Sequence, residues 1–179
     1  HTVGPMRAAR RFLYELFERE FLEDVAQIVI ELYGSLAMTG KGHATDIAIL
    51  LGLEGERPEA VDPNSVEQRV RLISQEKKIC LFGKHSIGFD PEMDIQFLKG
   101  KRLPFHSNAM RFKAFDQHKK TIHTTLYYSV GGGFVLDHSE ALGSPQPKAE
   151  SLVPFPFKTA EELMEHARRE HKAIWEIVL

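Results

Sequence analysis

The sequence predicts an α+β fold in which helices pack against a mixed, mostly antiparallel sheet. Helix-period and strand-period stretches are interleaved along the chain without the regular alternation of β–α–β units. Neither internal repeats nor low-complexity segments interrupt this pattern. A chain of 179 residues is long enough to bury a core. We therefore expect one domain, or one domain with a small extension.

The helices are predicted from apolar residues at helical spacing and from their capping residues. Pro5 suits the first turn of the first helix, and Ser65 with Gln68 forms a capping box for a later one. Thr159 and Glu162 do the same for the last helix, which follows a proline-rich loop. The expected apolar stripes are Met6, Ala9, Leu13, Leu16 and Phe17 in the first helix, which leaves Glu15 off the stripe; Ala44, Ile47, Ala48 and Leu51 in a helix that ends near Gly52; Val66, Val70 and Ile73; and Leu163, Ala167, Ile174 and Val178.

The strands are predicted from alternating apolar and polar residues. In residues 24–33 the apolar face consists of Ala26, Ile28, Ile30 and Leu32. The other candidates are residues 79–82, 94–98, 110–115 and 121–130. Three glycines, residues 131–133, interrupt the last of these. They indicate a bulge, a place where another molecule meets bare backbone, or a simple hairpin turn.

Charge and composition exclude several classes of partner. The formal net charge is −2 and the two signs are interspersed, so there is no basic face for nucleic acid. No apolar run is long enough to span a membrane, and no signal-peptide pattern is present. The single cysteine, Cys80, cannot form an internal disulfide and fits a reducing compartment. Its strand-like surroundings predict a buried thiol.

The turn formed by residues 39–46 is the first candidate site. Gly40 and Gly42 bracket Lys41, so the backbone can bend tightly and let a ligand approach. Free N–H groups at the start of the following helix, beside an ammonium group, would bind a carboxylate or a phosphate. His43 adds a titratable imidazole. A flexible, solvated turn is equally consistent with the spacing, and the register does not fit a phosphate loop.

The nine histidines do not show a metal-binding spacing. His118 and His123 flank a predicted turn, where histidine pairs are more often solvated than metal-bound, and one cysteine cannot supply a four-thiolate site. The remaining polar clusters lie in predicted loops at residues 1–2, 41–46, 105–111 and 127–134. Together they offer a cation, imidazoles, an amide and open backbone. These are the parts of a site for a small amino or hydroxy acid.

These clusters, in this order, resemble the N-terminal β domain of the bacterial iron–sulfur L-serine dehydratases. That family opens with Ser-Ser-His-Thr-x-Gly-Pro, and residues 1–5 match its second half. Residues 32–46 match the next block, which runs from Leu-Tyr-Gly-Ser-Leu-Ala to Thr-Gly-Lys-Gly-His-Ala-Thr-Asp. Residues 106–112 match a His-Pro-Asn-Gly/Ala-Met block with Ser107 in place of proline, and residues 127–134 match a glycine block. The resemblance covers essentially the whole chain.

The resemblance implies a cytoplasmic enzyme that converts L-serine to pyruvate and ammonia without pyridoxal phosphate. It implies a [4Fe-4S] cluster whose cysteine ligands belong to a following, mostly helical α domain, so that this chain holds no metal ligand. Residues 1–179 would be the β domain, cut from a longer parent within a helical pattern and inactive alone. A homodimer is expected. The family's β domain also looks like the allosteric substrate-binding domain of D-3-phosphoglycerate dehydrogenase, which agrees with an α+β fold.

The implied mechanism needs a Lewis acid, a base and a group that binds the substrate carboxylate. An open iron of the cluster would act on the serine hydroxyl, and a base within hydrogen-bonding reach would take the α-proton. His1, His43 and His106 are the candidates for the base, and the sequence does not rank them. Lys41, with the backbone at Gly42, is expected at the carboxylate.

Supporting roles fall to a second set of residues. Thr2 and Asn108 would position the substrate, and Asp46 would orient the imidazole or the lysine of its own turn. Gly131 and Gly132 would let the α domain or its cluster approach closely.

A different class of function uses the same chemistry. A non-catalytic module that senses serine or another small anion would also need a cation beside a helix start. A structural dimerisation domain is a third interpretation.

Overall fold

The computed structural model describes residues 1–143 and 159–170. The chain divides into two units, residues 1–143 and residues 144–179. Within the second unit the described part contains one helix, α7 (Ala160–Arg169). Most of the predicted proline-rich loop lies outside the described residues, as do Ile174 and Val178 of the last predicted stripe.

The first unit contains helices and strands in irregular alternation. Its helices are α1 (Val3–Glu18), α2 (Gly34–Thr39), α3 (Thr45–Leu53), α4 (Pro63–Glu76), α5 (Pro91–Asp94) and α6 (His138–Gly143). Its strands are β1 (Gln27–Leu32), β2 (Lys78–Leu81), β3 (His85–Gly88), β4 (Ile95–Phe97), β5 (Ala109–Phe115), β6 (Thr121–Gly131) and β7 (Phe134–Asp137). Leu22–Asp24 and Lys41–His43 form short 3₁₀ turns.

Five strands form one mixed sheet in the order β4-β1-β5-β6-β7. Strand β1 pairs in parallel with β4 and antiparallel with β5, and the β5–β6 and β6–β7 pairs are antiparallel. The predicted α+β class with a mixed, mostly antiparallel sheet is therefore confirmed. Strands β2 and β3 form a separate hairpin.

Helix α1 packs its apolar side against the sheet. Ala8 and Phe12 are fully buried, and the Phe12 ring lies 5.3 Å from the ring of Phe112 on β5. Phe17, which was predicted to be part of the stripe, is 50% exposed. The reason is that the buried side of α1, which contacts both the sheet and α3, is centred on Phe12, and Phe17 lies about 140° away from Phe12 around the helix.

Helix α3 crosses α1 at a glycine. A Cβ atom on Gly52 would lie 2.4 Å from the carbonyl oxygen of Met6 and 2.8 Å from Cβ of Ala9. Gly52 therefore lies inside α3, which runs on to Leu53. Gly52 allows α1 and α3 to pack closely, and α3 ends one residue after it.

Helix α4 begins earlier than the capping box predicted. The Asp62 carboxylate accepts a hydrogen bond from the N–H of Asn64 at 3.0 Å, which makes Asp62 the N-cap. Pro63 occupies the first turn, where its missing N–H costs nothing. Ser65 lies inside the helix, and its hydroxyl donates to the Asp62 carbonyl at 2.9 Å.

Two strand predictions also change in detail. Strand β1 begins at Gln27, and Ala26 is exposed although its N–H donates to the Phe115 carbonyl of β5 at 2.8 Å. The three glycines at residues 131–133 form the β6–β7 hairpin, with a shift in register between Ser129 and Gly131. The hairpin and bulge interpretations therefore both describe this segment.

Candidate active site

One end of the sheet brings together segments that are far apart in sequence. The last residue of β1 lies opposite Met110 of β5, and Ala109 lies opposite Tyr128 of β6. The start of α1 lies against the same end, because a Cβ on Gly4 would be 2.5 Å from the hydroxyl oxygen of Ser129. Strand register thus brings residues 105–111 and 127–129 to the end of the sheet where α1 and α2 begin.

Gly34 lets the chain turn directly from β1 into α2. Its φ is +58°, and a Cβ there would lie 1.9 Å from the carbonyl oxygen of Ser107. Its N–H donates to the Lys101 carbonyl at 2.9 Å. Only glycine fits a left-handed conformation pressed against another backbone. This contact places the first turn of α2 beside the loop that precedes β5.

Six polar side chains form a hydrogen-bonded group at this end, which we name the imidazole cluster. Its members are His1, Ser35, Thr39, His43, His106 and Asn108. The Asn108 side-chain oxygen accepts from the N–H of Ser35 at 3.3 Å and from the Ser35 hydroxyl at 2.5 Å. The N–H of Asn108 donates to Nδ1 of His106 at 3.1 Å. The loop before β5 is thereby held against α2.

His1 lies at the centre of the imidazole cluster. Its Nε2 is 3.1 Å from the Ser35 hydroxyl and its Nδ1 is 3.2 Å from the Thr39 hydroxyl. Its carbonyl accepts from the buried hydroxyl of Thr45 at 2.7 Å. The ring stands edge-on to that of His43, with centroids 4.9 Å apart, and Nδ1 of His43 is 2.8 Å from the Thr39 carbonyl. All three imidazoles proposed as bases therefore belong to one hydrogen-bonded group.

Sequence reasoning missed Ser35 and Thr39. They lie four residues apart on α2, a helix that the sequence analysis did not predict, so their hydroxyls share one side of it. The available signal was a serine directly after Gly34 and a threonine four residues after that serine.

Lys41 and Asp46 lie in a different environment. The Lys41 ammonium is 5.6 Å from the centre of the Phe97 ring, and both residues line a cavity of about 490 Å³ together with Lys99. The Asp46 carboxylate accepts from the N–H of the next residue at 3.0 Å. Asp46 was predicted to orient either His43 or Lys41. The prediction for His43 is wrong, because its imidazole is hydrogen-bonded to the Thr39 carbonyl and not to the Asp46 carboxylate.

The prediction of free N–H groups at this turn is wrong for most of its residues. The N–H groups of His43 and Thr45 donate to the Gly40 carbonyl at 3.1 and 2.9 Å. The N–H of Ala44 donates to the Lys41 carbonyl at 3.4 Å. Ala44, with φ +54°, makes the sharp bend. Gly42 is exposed, and a Cβ there would meet only open space. The lysine ammonium therefore remains as the main candidate for binding an anion at this turn.

Thr2 and the glycine hairpin border the start of α1. The Thr2 carbonyl accepts a hydrogen bond from the N–H of Met6 at 3.0 Å. Gly131 and Gly132 belong to the β6–β7 turn, in which a Cβ on Gly133 would lie 2.6 Å from a methyl group of Val3. The hairpin thus packs bare backbone against α1 of its own chain. Contact of these glycines with another domain stays a prediction.

The described residues offer no ligand set for a metal. Nowhere in residues 1–143 and 159–170 do three histidine, cysteine or acidic side chains form a group that could hold an ion. Cys80 lies opposite Ser86 in the β2–β3 hairpin and is only partly buried, contrary to the prediction, because strand alternation turns Ile79 and Leu81 to the core instead. In the same described part, no helix combines the length and apolarity needed to cross a membrane.

A second polar group, absent from the sequence analysis, lies between α1 and β6. We name Glu15, His123, Thr125 and Tyr127 the carboxylate network. The Glu15 carboxylate accepts from His123 Nε2 at 2.8 Å and from the hydroxyls of Thr125 and Tyr127 at 2.6 Å each. Burial acts to raise the pKa of Glu15, but these hydrogen bonds outweigh it and hold the pKa below its ordinary value. Glu15 is therefore ionised at neutral pH.

The carboxylate network corrects two predictions. Glu15 was placed off the packed side of α1, and His123 was expected to be solvated. Instead Glu15 faces the sheet and His123 stacks on Phe12, with ring centroids 5.4 Å apart. Polar residues at every second position of β6, from His123 to Tyr127, were the signal for one polar strip on a strand.

Comparisons with known proteins were made for the whole chain. A family model described as the serine dehydratase beta chain matches residues 1–140. The chain is 44% identical to the L-serine dehydratase of Streptomyces coelicolor over 180 residues, which cover 100% of this chain and 39% of that protein. It is 39% identical to L-serine dehydratase 1 of Escherichia coli over 165 residues (92% of this chain, 36% of that protein). It is 36% identical to the L-serine dehydratase of Helicobacter pylori over 178 residues (99% and 38%). The chain therefore spans less than two fifths of the length of these relatives.

Proposed function

The chain belongs to the serine dehydratase beta chain family, and from that premise we propose that it is part of an enzyme that eliminates water from L-serine to give pyruvate and ammonia. The names of the relatives support L-serine as the substrate. The imidazole cluster supports proton transfer as the contribution of this chain. The remaining length of a parent protein would complete the active site.

The observation that carries this proposal is the convergence of three imidazoles and an amide from three separate segments. Elimination from serine removes a weakly acidic α-proton, which requires a base within hydrogen-bonding reach. The oxygen that leaves must also receive a proton to become water. Imidazoles serve as base or acid near neutral pH. The imidazole cluster therefore supplies both kinds of group on one surface.

A [4Fe-4S] cluster belongs to this proposal but not to this chain. When bound to the parent it would supply Lewis-acid chemistry toward the serine hydroxyl. The described residues form no metal-binding group, and the full sequence contains a single cysteine, so the ligands would come from elsewhere in the parent. The roles proposed for this chain are substrate binding, orientation and proton transfer. Pyridoxal phosphate has no part in them.

Lys41 is proposed to bind the serine carboxylate. Its ammonium is exposed on the turn that carries His43, where most backbone amides are already used. In a full-length parent, Lys41→Ala should reduce turnover at least ~10²-fold, the scale for losing one preorganised electrostatic group. Lys99→Ala is the matched control, because Lys99 lines the same cavity but lies outside the turn. Near-normal turnover of Lys41→Ala would remove Lys41 from the site.

The proposed function is tested with a full-length parent that carries its cofactor. Pyruvate and ammonia should form in equal amounts from L-serine, with D-serine as the control. A loaded parent that releases no pyruvate would overturn the proposal. Calorimetry of the 179-residue chain with L-serine tests the alternative, because binding without the rest of the parent favours a serine-sensing module.

A further inference from the structure

Thr45 is a buried polar residue whose hydroxyl contacts a distant segment of the chain. Its side chain has no exposed surface (0%), and the hydroxyl donates to the His1 carbonyl at 2.7 Å. A buried hydroxyl without a partner would cost free energy. The bond joins the first residue of α3 to a residue that lies 44 positions earlier in the chain. The position of α3 and the position of His1 are therefore linked.

The local needs of α3 do not explain this hydroxyl. Ala44 is the N-cap, and no side chain caps the helix. A threonine in a helix often donates to the carbonyl four residues earlier, but Thr45 donates to the carbonyl of His1. Branching at Cβ also makes threonine a slightly weaker helix former than alanine. The hydroxyl therefore serves the contact with His1 and not the helix.

His1 is held by hydroxyl groups at three points. Ser35 and Thr39 of α2 contact its two ring nitrogens at 3.1 and 3.2 Å, and Thr45 of α3 holds its main-chain carbonyl. Water can compete for the two ring contacts, because both are exposed. Water does not reach the Thr45 hydroxyl, because that side chain is fully buried. The main chain of His1 is therefore anchored more firmly than its ring.

The same threonine closes the turn that carries His43. The N–H of Thr45 donates to the Gly40 carbonyl at 2.9 Å. A Cβ on Gly40 would lie 3.2 Å from Cβ of Thr45, so the glycine leaves the room in which the threonine side chain lies. Thr45 is thus bonded to the turn through its main chain and to His1 through its side chain. The centroids of the His1 and His43 rings are 4.9 Å apart, and Thr45 is bonded to both of the segments that carry them.

We propose that Thr45 is a positioning residue that fixes the separation of the His1 and His43 rings through its hydrogen bond to the His1 carbonyl. This assignment rests on the proposed function, in which imidazoles on this surface transfer protons. Thr45 itself neither gives nor takes a proton in the reaction, and its buried hydroxyl does not touch the substrate. Proton transfer requires a donor and an acceptor within hydrogen-bonding reach, so a displacement of about 1 Å is enough to slow the reaction.

Nuclear magnetic resonance tests the positioning without turnover. In the 179-residue chain, ring protons of His1 and His43 should give a nuclear Overhauser cross-peak, because the rings stand edge-on with centroids 4.9 Å apart. Thr45→Val replaces the hydroxyl by a methyl group of similar size and should weaken this cross-peak, whereas Thr45→Ser should keep it. An unchanged cross-peak in Thr45→Val would overturn the proposal. A missing cross-peak in the unaltered chain would overturn it as well, and that result does not depend on the folding of any variant.

Thr125→Val is the matched control for a purely structural effect. The Thr125 hydroxyl donates to the Glu15 carboxylate at 2.6 Å, so this variant also loses one hydrogen bond between distant segments. Thr125 belongs to the carboxylate network and not to the imidazole cluster. Thr125→Val should therefore leave the cross-peak between His1 and His43 unchanged. An equal loss of the cross-peak in Thr45→Val and Thr125→Val would indicate a general loosening of the fold and would refute a specific role of Thr45.

Kinetics in a full-length parent that carries its cofactor test the same residue. Thr45→Val should lower kcat ~10- to 100-fold while KM changes little, because the imidazoles lose their alignment. Thr45→Ser should restore most of kcat, and Thr125→Val should keep it. Full kcat in Thr45→Val, or an equal loss in Thr45→Ser, would refute the assignment. A wild-type parent that forms no pyruvate would refute the proposed function, while the cross-peaks would still decide whether Thr45 sets the separation of the two rings.

Discussion

The imidazole cluster and the carboxylate network lie near opposite ends of α1 and differ in how completely their hydrogen bonds are used. Glu15 accepts three hydrogen bonds, so the donors around it are satisfied within the protein. In the imidazole cluster the His43 ring is exposed, and its Nε2 has no hydrogen-bond partner among the described residues. The difference shows that a histidine beside a carboxylate, such as His123, can serve packing, while the exposed ring of His43 stays open to a ligand.

Charge separates the two regions as well. The carboxylate network adjoins Arg11, which pairs with Asp137 at 2.6 Å and with Glu140 at 2.9 Å. Arg11 therefore offsets only part of the negative charge around Glu15, because it faces three carboxylates. The imidazole cluster has no carboxylate among its members, so an anionic substrate meets only neutral or positive side chains there. This contrast in charge is what an amino acid carboxylate would sense.

The largest effect is expected where the imidazole cluster is assembled. Gly34→Ala should lower the free energy of unfolding by roughly 2 to 4 kcal/mol, because the new Cβ is strained by its φ and clashes with the Ser107 carbonyl. The displacement of α2 should also reduce turnover of a full-length parent at least ~10²-fold. Urea unfolding and pyruvate formation measure the two effects.

Gly100→Ala is the control for that experiment. Gly100 has φ +80°, but a Cβ there would meet open space. It should cost only the backbone strain, about 1 kcal/mol, with turnover unchanged. Equal effects of the two substitutions would show that the contact between α2 and the loop before β5 does not matter.

A smaller effect, on stability alone, is expected in the carboxylate network. Glu15→Gln should lower the free energy of unfolding by about 1 to 3 kcal/mol, because donors on β6 lose a charged acceptor. Turnover of a parent should stay the same. Glu18→Gln, at an exposed position of the same helix, should change stability by less than about 0.5 kcal/mol. Lost turnover with unchanged stability in Glu15→Gln would place Glu15 in the active site.

The smallest effect is expected in the pH dependence of stability. The Arg11 hydrogen bond holds the pKa of Glu140 below its ordinary value, and hydrogen bonds hold the pKa of Glu15 low against the effect of burial. A carboxylate with a lower pKa when folded stabilises the protein above its unfolded pKa, about 4.3 for Glu, and loses that contribution as the pH falls through the folded value. The urea concentration at the unfolding midpoint should therefore decrease as the pH drops below about 4. The decrease should be less steep for Glu15→Gln. Parallel curves would contradict this account of Glu15.

Most elements of the sheet follow from local pattern. Alternation of apolar residues places Ile28, Ile30 and Leu32 on the buried face of β1, where all three are fully buried. Helix α2 was missed because its start is defined by a contact of Gly34 with a backbone more than 70 residues away, which no local pattern records. The start of α4 was misplaced because two capping signals compete within four residues.

The sequence by itself determined the α+β class, the elements of the sheet and the motif blocks by which the family was identified, because periodicity and short motifs are local properties of a chain. Only the tertiary structure decided which polar side chains meet. The antiparallel register of β1 with β5 places Ser35 against Asn108, and the side of α1 that faces β6 joins Glu15 to His123. Hydrogen bonds form within about 3 Å, so they depend on how distant segments are aligned and not on the spacing within any one segment.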